Sequence, residues 1–396
     1  MWLTPRRRAL LALSLLLMAC GVEDVDTPTE VDAAPADAGM IDAAPEPEPG
    51  PVTHELLVDG QQVRLEFGVG QVVFEAPDDV LSLTVIVHGE ANGWYGVDAW
   101  TDPTGVELVT PDWVVEEGNE RGCFSCPVFA TQGAGAATII NPNRPESVVN
   151  PGTHTLSVVG FVDGLSTDVA QVTVIAKRGP AWPERGVIDL VFYFTGAQDW
   201  SAATVPDDPY FAAVIGQFNA LYGAAGVQVG EMTFRDLDPE LRTVSIDPED
   251  DTLGALVAHS DDAEGHGAHV FFVEEILTGE PDFPSIPGVS AGVPNPPFLT
   301  GTSASGIVIA TKGPLEIPPG QRFLDPPAIG QTLCHEMGHL LGLFHTSEYD
   351  EVSHDQFEDT PENDNSYLMH ADGTGPTISP QQARAIMANP LVRHPD

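Results

Sequence analysis

The sequence predicts an all-β domain followed by an α/β domain, and three observations carry that reading. From Thr53 to about Arg178, short runs of alternating apolar and polar residues are separated by Gly, Pro, Asn and Asp, with no helical period. After Gly179-Pro180-Ala181-Trp182-Pro183 the pattern changes to near-continuous apolar runs interleaved with segments of helical spacing. Close to the C-terminus lies a strongly patterned helix dense in histidine and glycine.

Residues 1–20 precede both domains. Arg6, Arg7 and Arg8 lead into an apolar run from Ala9 to Leu17 that is too short to span a bilayer, the pattern of an export signal. Its end, Leu17-Met18-Ala19-Cys20, resembles the lipobox of bacterial lipoproteins. That resemblance implies lipid attachment at Cys20, membrane contact through the lipid alone, and a place at the outer membrane or cell surface. Residues 21–52 are mostly Asp, Glu, Ala and Pro, so they bury too little apolar surface to offset the entropy of ordering. They are expected to form a disordered, extended acidic tether.

Residues 53–180 are expected to form a β-sandwich, with strands at Val63–Phe67, Leu81–Val87, Thr155–Val159 and Val169–Ile175. Asn150-Pro151-Gly152-Thr153-His154-Thr155-Leu156-Ser157-Val158 resembles a late strand of the jelly-roll prepeptidase-type domains. His88 and His154 read as surface or strand residues. In residues 181–396, Val187–Phe194 suits a central buried strand, and Phe211, Val214, Ile215, Phe218 and Leu221 mark a helix over 209–223. Strands at Val227–Phe234 and His269–Val273, extended segments at Gly288–Val293 and Gly306–Thr311, and a helix from near Pro327 to Phe344 complete the α/β order.

With 15 basic against 59 acidic residues, the formal charge is −44. Such a balance argues against nucleic acid and anionic membrane surfaces as partners, and for solubility, calcium binding or life in salt. Of the four cysteines, Cys123 and Cys126 form a C-x-x-C that an exported chain can oxidise to a disulfide, and Cys334 stands alone.

The chemistry concentrates at residues 335–345, His-Glu-Met-Gly-His-Leu-Leu-Gly-Leu-Phe-His. A four-residue step turns a helix through about 400°, so His335 and His339 present imidazoles to one ion from adjacent turns. Glu336 is rotated by roughly 100° from His335, out of the ligand set but near a metal-bound water, where it acts as a general base. On a continuing helix His345 would lie about 9 Å beyond His339 and on another face. Gly342 supplies the break that brings it back. Three histidines leave one position open, the pattern of a single catalytic zinc. From average composition the whole pattern arises by chance at about 1 in 100,000, so the residues are expected to act together.

This motif resembles the zinc signature of the metzincin clan of metallopeptidases. Asn365-Ser366-Tyr367-Leu368-Met369-His370 matches the clan's methionine turn, and a helix follows from Ser379. Thr346 and Asp359-Thr360-Pro361 resemble the pappalysin family within it. The resemblance implies a twisted mixed sheet with an active-site helix, Met369 as a hydrophobic floor, and hydrolysis of a protein or peptide substrate. It also implies an edge strand near Gly288–Val293, and a pocket wall from Tyr367 and Leu368. Ala371 stands where many clan members have a tyrosine, leaving Tyr367 or His370 as substitutes. Between Glu348 and Asp364 eight carboxylates occur without Lys or Arg, from which calcium binding at Asp350, Asp355, Asp359 and Asp364 is expected. The competing reading is a lipid-anchored binding protein or adhesin whose metalloprotease domain is inactive or self-directed.

Overall fold

The computed structural model describes residues 52–395 except 111–113, 116–120, 124, 163–164, 248–251, 263–266, 281–282, 318–320 and 350–351. Cys20, the export signal and nearly all of the tether lie outside the described residues, as does Asp350.

Most strands up to Arg178 form two large antiparallel sheets, and Val114–Val115, Arg121–Cys123 and Ala130–Thr131 form a small third one. The first runs in the order Thr53–Arg64, Val169–Arg178, Val80–His88, Ala136–Asn141. The second is built on Gly152–Val162, flanked by Val69–Ala76 on one side and Gly93–Thr101 on the other. Alternation explains why the pair closes: Val72, Phe74 and Ala76 are buried while Val69, Gln71, Val73 and Glu75 are exposed. Leu83, Val85, Val87, Tyr95, Trp100, Leu156, Val172 and Val174 fill one shared core. His154 belongs to this interior: Trp100 Nε1 donates to its Nδ1 at 3.1 Å, and its ring stacks on Phe74. The strand expected over Val63–Phe67 instead ends at Arg64, and Phe67 sits fully exposed at φ 57° in the following turn.

The remaining chain is α/β. A mixed sheet has the order Val227–Asp236, Gly186–Phe194, Ala268–Val273, Ile307–Ala310, Gly288–Ser290. The first four strands are parallel and the last is antiparallel at the edge. Both faces of the central strands are covered, which accounts for their near-continuous apolar runs. Helices Pro209–Ala224 and Pro326–Leu341 pack together on one face, and Gly330 permits close approach: a Cβ there would stand 2.6 Å from Gln217 Cβ. Among the described residues no helix is long and apolar enough to cross a membrane.

The outer face of the first sheet is buried against the α/β part. Ser82 Oγ donates to Ala388 O at 2.7 Å. Lys177, 1% exposed, donates through Nζ to the carbonyls of Met387 (2.6 Å), Asn389 (3.1 Å) and Val392 (2.5 Å). Burial pulls this lysine down to about 7. An ammonium has three protons, and three carbonyls accept them: two at the end of helix Pro380–Ala388, the helix pole that favours positive charge, and one from Val392 in the strand that follows.

Candidate metal centre

Helix Pro326–Leu341 starts cleanly because Asp325 accepts from the Ala328 N–H at 2.9 Å and Pro326 has no N–H that needs an acceptor. It ends three residues before the expected Phe344. Gly342 adopts φ 108°, its N–H donates to His339 O, and Leu343 N–H donates to Gly338 O, both at 2.9 Å. This is a Schellman-type stop, and it reverses the chain so that His345 returns towards the helix.

The Nε2 atoms of His335, His339 and His345 converge to separations of 3.1, 3.1 and 3.2 Å. Each opposite nitrogen faces an oxygen: His335 Nδ1 meets Leu368 O at 2.8 Å, His339 Nδ1 meets Leu343 O at 2.8 Å, and His345 Nδ1 meets Glu348 Oε2 at 2.9 Å. Carbonyl and carboxylate oxygens only accept, so the ring proton sits on Nδ1 and Nε2 is left as an acceptor. Burial holds His335 down to about 3 and His339 well below the usual range, which keeps both rings neutral. Three acceptors facing one another at this distance are unfavourable without a cation among them. A tetrahedral zinc with bonds of about 2.0–2.1 Å separates its nitrogen ligands by about 3.3 Å, close to the spacing here. Among the described residues these three histidines are the one group of His, Cys, Asp and Glu side chains placed to hold a metal.

Glu336 is 5% exposed on the same helix. Burial pushes its carboxyl up to about 8, against the Ser290 N–H, which donates to it and favours the anion. The edge strand lies tight on the helix here: a Cβ on Gly288 would stand 2.6 Å from Thr332 Cγ2 and 2.7 Å from Glu336 Cγ. Gly338 serves the same purpose on the other side, since its Cβ would meet Met369 Sδ at 2.2 Å. Met369 is fully buried, and its carbonyl accepts from Thr346 N–H at 2.7 Å, stitching the turn to the residue after the third histidine.

The structure corrects two expectations. Leu368 lines no pocket: its side chain is fully buried in the core beside Met369, and it reaches the centre through its carbonyl. Tyr367 directs its hydroxyl to Asp359 O at 2.8 Å, and His370 Nδ1 pairs with Asp372 Oδ1 at 3.1 Å. The calcium site also fails to form among the described residues, because its carboxylates have separate local tasks. Asp355 accepts from Thr360 Oγ1 at 2.6 Å, Asp359 accepts from Ser379 Oγ at 2.6 Å and Gln381 N–H at 2.9 Å, and Asp364 accepts from Ser366 N–H at 3.0 Å. Glu348 was legible only as one acid in that run, and its position three residues after His345 is the signal for its task. Cys123 and Cys126 are bonded to each other within the two-sheet part.

No family model and no curated protein sequence matches the chain. Among solved structures it is similar to archaemetzincin from Methanopyrus kandleri, at 15% identity and a TM-score of 0.30, over 51% of this chain and 94% of that one. It is also similar to metalloproteinase-II from Bacteroides fragilis, at 12% identity and a TM-score of 0.33, over 55% of this chain and 62% of that one. A family two carbohydrate esterase from Clostridium thermocellum follows at 11% identity and a TM-score of 0.16, over 60% of this chain and 67% of that one. Superpositions this poor carry no argument about the site.

Proposed function

We propose that the chain is a zinc-dependent endopeptidase of metzincin type, similar to the pappalysins, with Glu336 as its general base. The observation that carries this reading is the convergence of three Nε2 atoms, each on a ring whose other nitrogen is tied to an oxygen, beside a buried carboxyl. A zinc ion held by His335, His339 and His345 supplies Lewis acidity and a water of lowered pKa. Glu336, as the carboxylate that accepts from the Ser290 N–H, would take a proton from water and return it to the leaving amine. The edge strand Gly288–Ser290, antiparallel to Ile307–Ala310, is the place where an extended peptide adds to the sheet. We read the two antiparallel sheets as a β-sandwich, and the chain as an exported lipoprotein held at the outer membrane or cell surface through Cys20.

The test uses the chain without residues 1–20. The expected result is one zinc per chain and cleavage of a denatured mixed-protein substrate that stops when zinc is chelated. A chain that binds zinc but cuts none of many peptides, its own linker included, would overturn the reading.

A further inference from the structure

Between the helix end at Leu341 and the third ligand at His345 the chain has neither helix nor strand to hold it. The stretch is gripped from both sides. Inside, Leu343 is fully buried, its N–H donates to Gly338 O, and its carbonyl accepts a hydrogen bond from His339 Nδ1. Outside, the grip comes from the two-sheet part. The Phe129 and Phe344 rings lie 4.2 Å apart at 55°, and the position of a Cβ on Gly342 falls 3.9 Å from Ile140 Cδ1.

Phe129 is itself rigidly presented. Its N–H donates to Asn143 Oδ1 at 2.9 Å and its carbonyl accepts from Asn143 Nδ2 at 2.7 Å, so one amide fixes both of its peptide groups. On its N-terminal side, Val128 N–H donates to Leu108 O at 3.0 Å, and the Cys123–Cys126 bridge closes the loop, with Thr110 N–H on Cys126 Sγ at 3.2 Å. The frame is completed from the far side of the third ligand, where Gln356 Nε2 donates to Asn143 O at 2.8 Å. The chain before His345 and the chain after it therefore bear on the same corner of the two-sheet part.

We propose that this corner is a working part of the metal centre, with Phe129 a positioning residue that sets His345 through Phe344. The inference rests on the three histidines holding a metal, and it assigns the two-sheet part a role in the site itself. Aromatic contact of this kind is directional as well as apolar, so it fixes the root of the neighbouring imidazole and not merely its burial. Ligand orientation set from outside the first coordination sphere typically carries about 10–100-fold in metal affinity.

The experiment compares the chain without residues 1–20 with its Phe129→Ala and Phe129→Leu variants. Zinc affinity is read by competition with a chromophoric chelator, and ligand geometry by the visible absorption of the cobalt-substituted protein. Phe129→Ala should weaken zinc at least about tenfold and alter the cobalt bands, with Phe129→Leu recovering most of both. A Phe129→Ala protein that melts lower yet keeps wild-type zinc affinity and cobalt bands would show that Phe129 is only structural and would overturn the inference. If that variant does not fold, Gln356→Met, which removes the tie to Asn143, gives the decision by the same two readouts. A wild-type chain that binds neither metal would instead sink the metallopeptidase reading.

Discussion

At the residue scale, the three converging histidines and the buried Glu336 beside them were legible because a metal centre of the proposed kind demands fixed residue types at fixed spacing. His335, Glu336, His339 and His345 needed only the helical period and a glycine stop to be placed. What holds them was much less legible. Two of the three imidazoles are oriented by backbone carbonyls, of Leu368 and Leu343, and a carbonyl has no sequence signature. Glu348 has one, but it was hidden among seven other carboxylates that repulsion arguments treated as a group. Its bond to His345 Nδ1 fixes the ring and makes Nε2 a better donor to a metal. Glu348→Ala should therefore weaken zinc by about 10–100-fold while Glu348→Gln loses less, since the amide oxygen still accepts the ring proton. Chelator competition measures both. Equal affinities for wild type and Glu348→Ala would mean that the contact orients nothing.

At the element scale, periodicity found the strands and helices, and backbone conformation decided where they stop. Helix Pro326–Leu341 ends at Gly342 because the left-handed φ of 108° is open to glycine, although apolar residues continue to Phe344. The acidic run after His345 shows the opposite failure. Counting charge suggested a calcium cage, whereas among the described residues Asp355, Asp359 and Asp364 each accept capping or turn hydrogen bonds. Asp359 bonds both Ser379 and Gln381 at the start of helix Pro380–Ala388, where negative charge is favoured. Asp355 differs from the rest because burial pushes it up to about 7. A carboxyl whose folded pKa lies above its unfolded value binds more protons in the folded state. Its contribution is fully present below pH of about 4 and is lost as pH rises through about 7. Asp355→Asn removes that dependence while keeping an acceptor for Thr360. The variant should gain on wild type between pH 5 and pH 8, by more than about 1 kcal/mol at the upper end. Denaturant titrations across that range test it, and a difference that does not change with pH would contradict the account.

At the scale of the whole molecule, the change of pattern near residue 180 marked where one set of sheets gives way to another, but not that the two are joined through buried polar groups. A lysine in a strand reads as a solvated residue, and only the fold shows Lys177 donating to three carbonyls at and just beyond the end of the last helix. Lys177→Met should leave those carbonyls without donors and lower stability by roughly 2–4 kcal/mol, with a clear fall in the thermal midpoint. An unchanged midpoint would mean that the two parts hold together without it. The central claim, that this arrangement is a hydrolytic centre, is tested most directly by zinc content and peptide cleavage compared for wild type and Glu336→Gln. The substitution keeps all three ligands and removes only the proton acceptor. The account predicts one zinc per chain in both proteins and cleavage at least about a hundredfold slower in the variant. Equal cleavage by the two would contradict it.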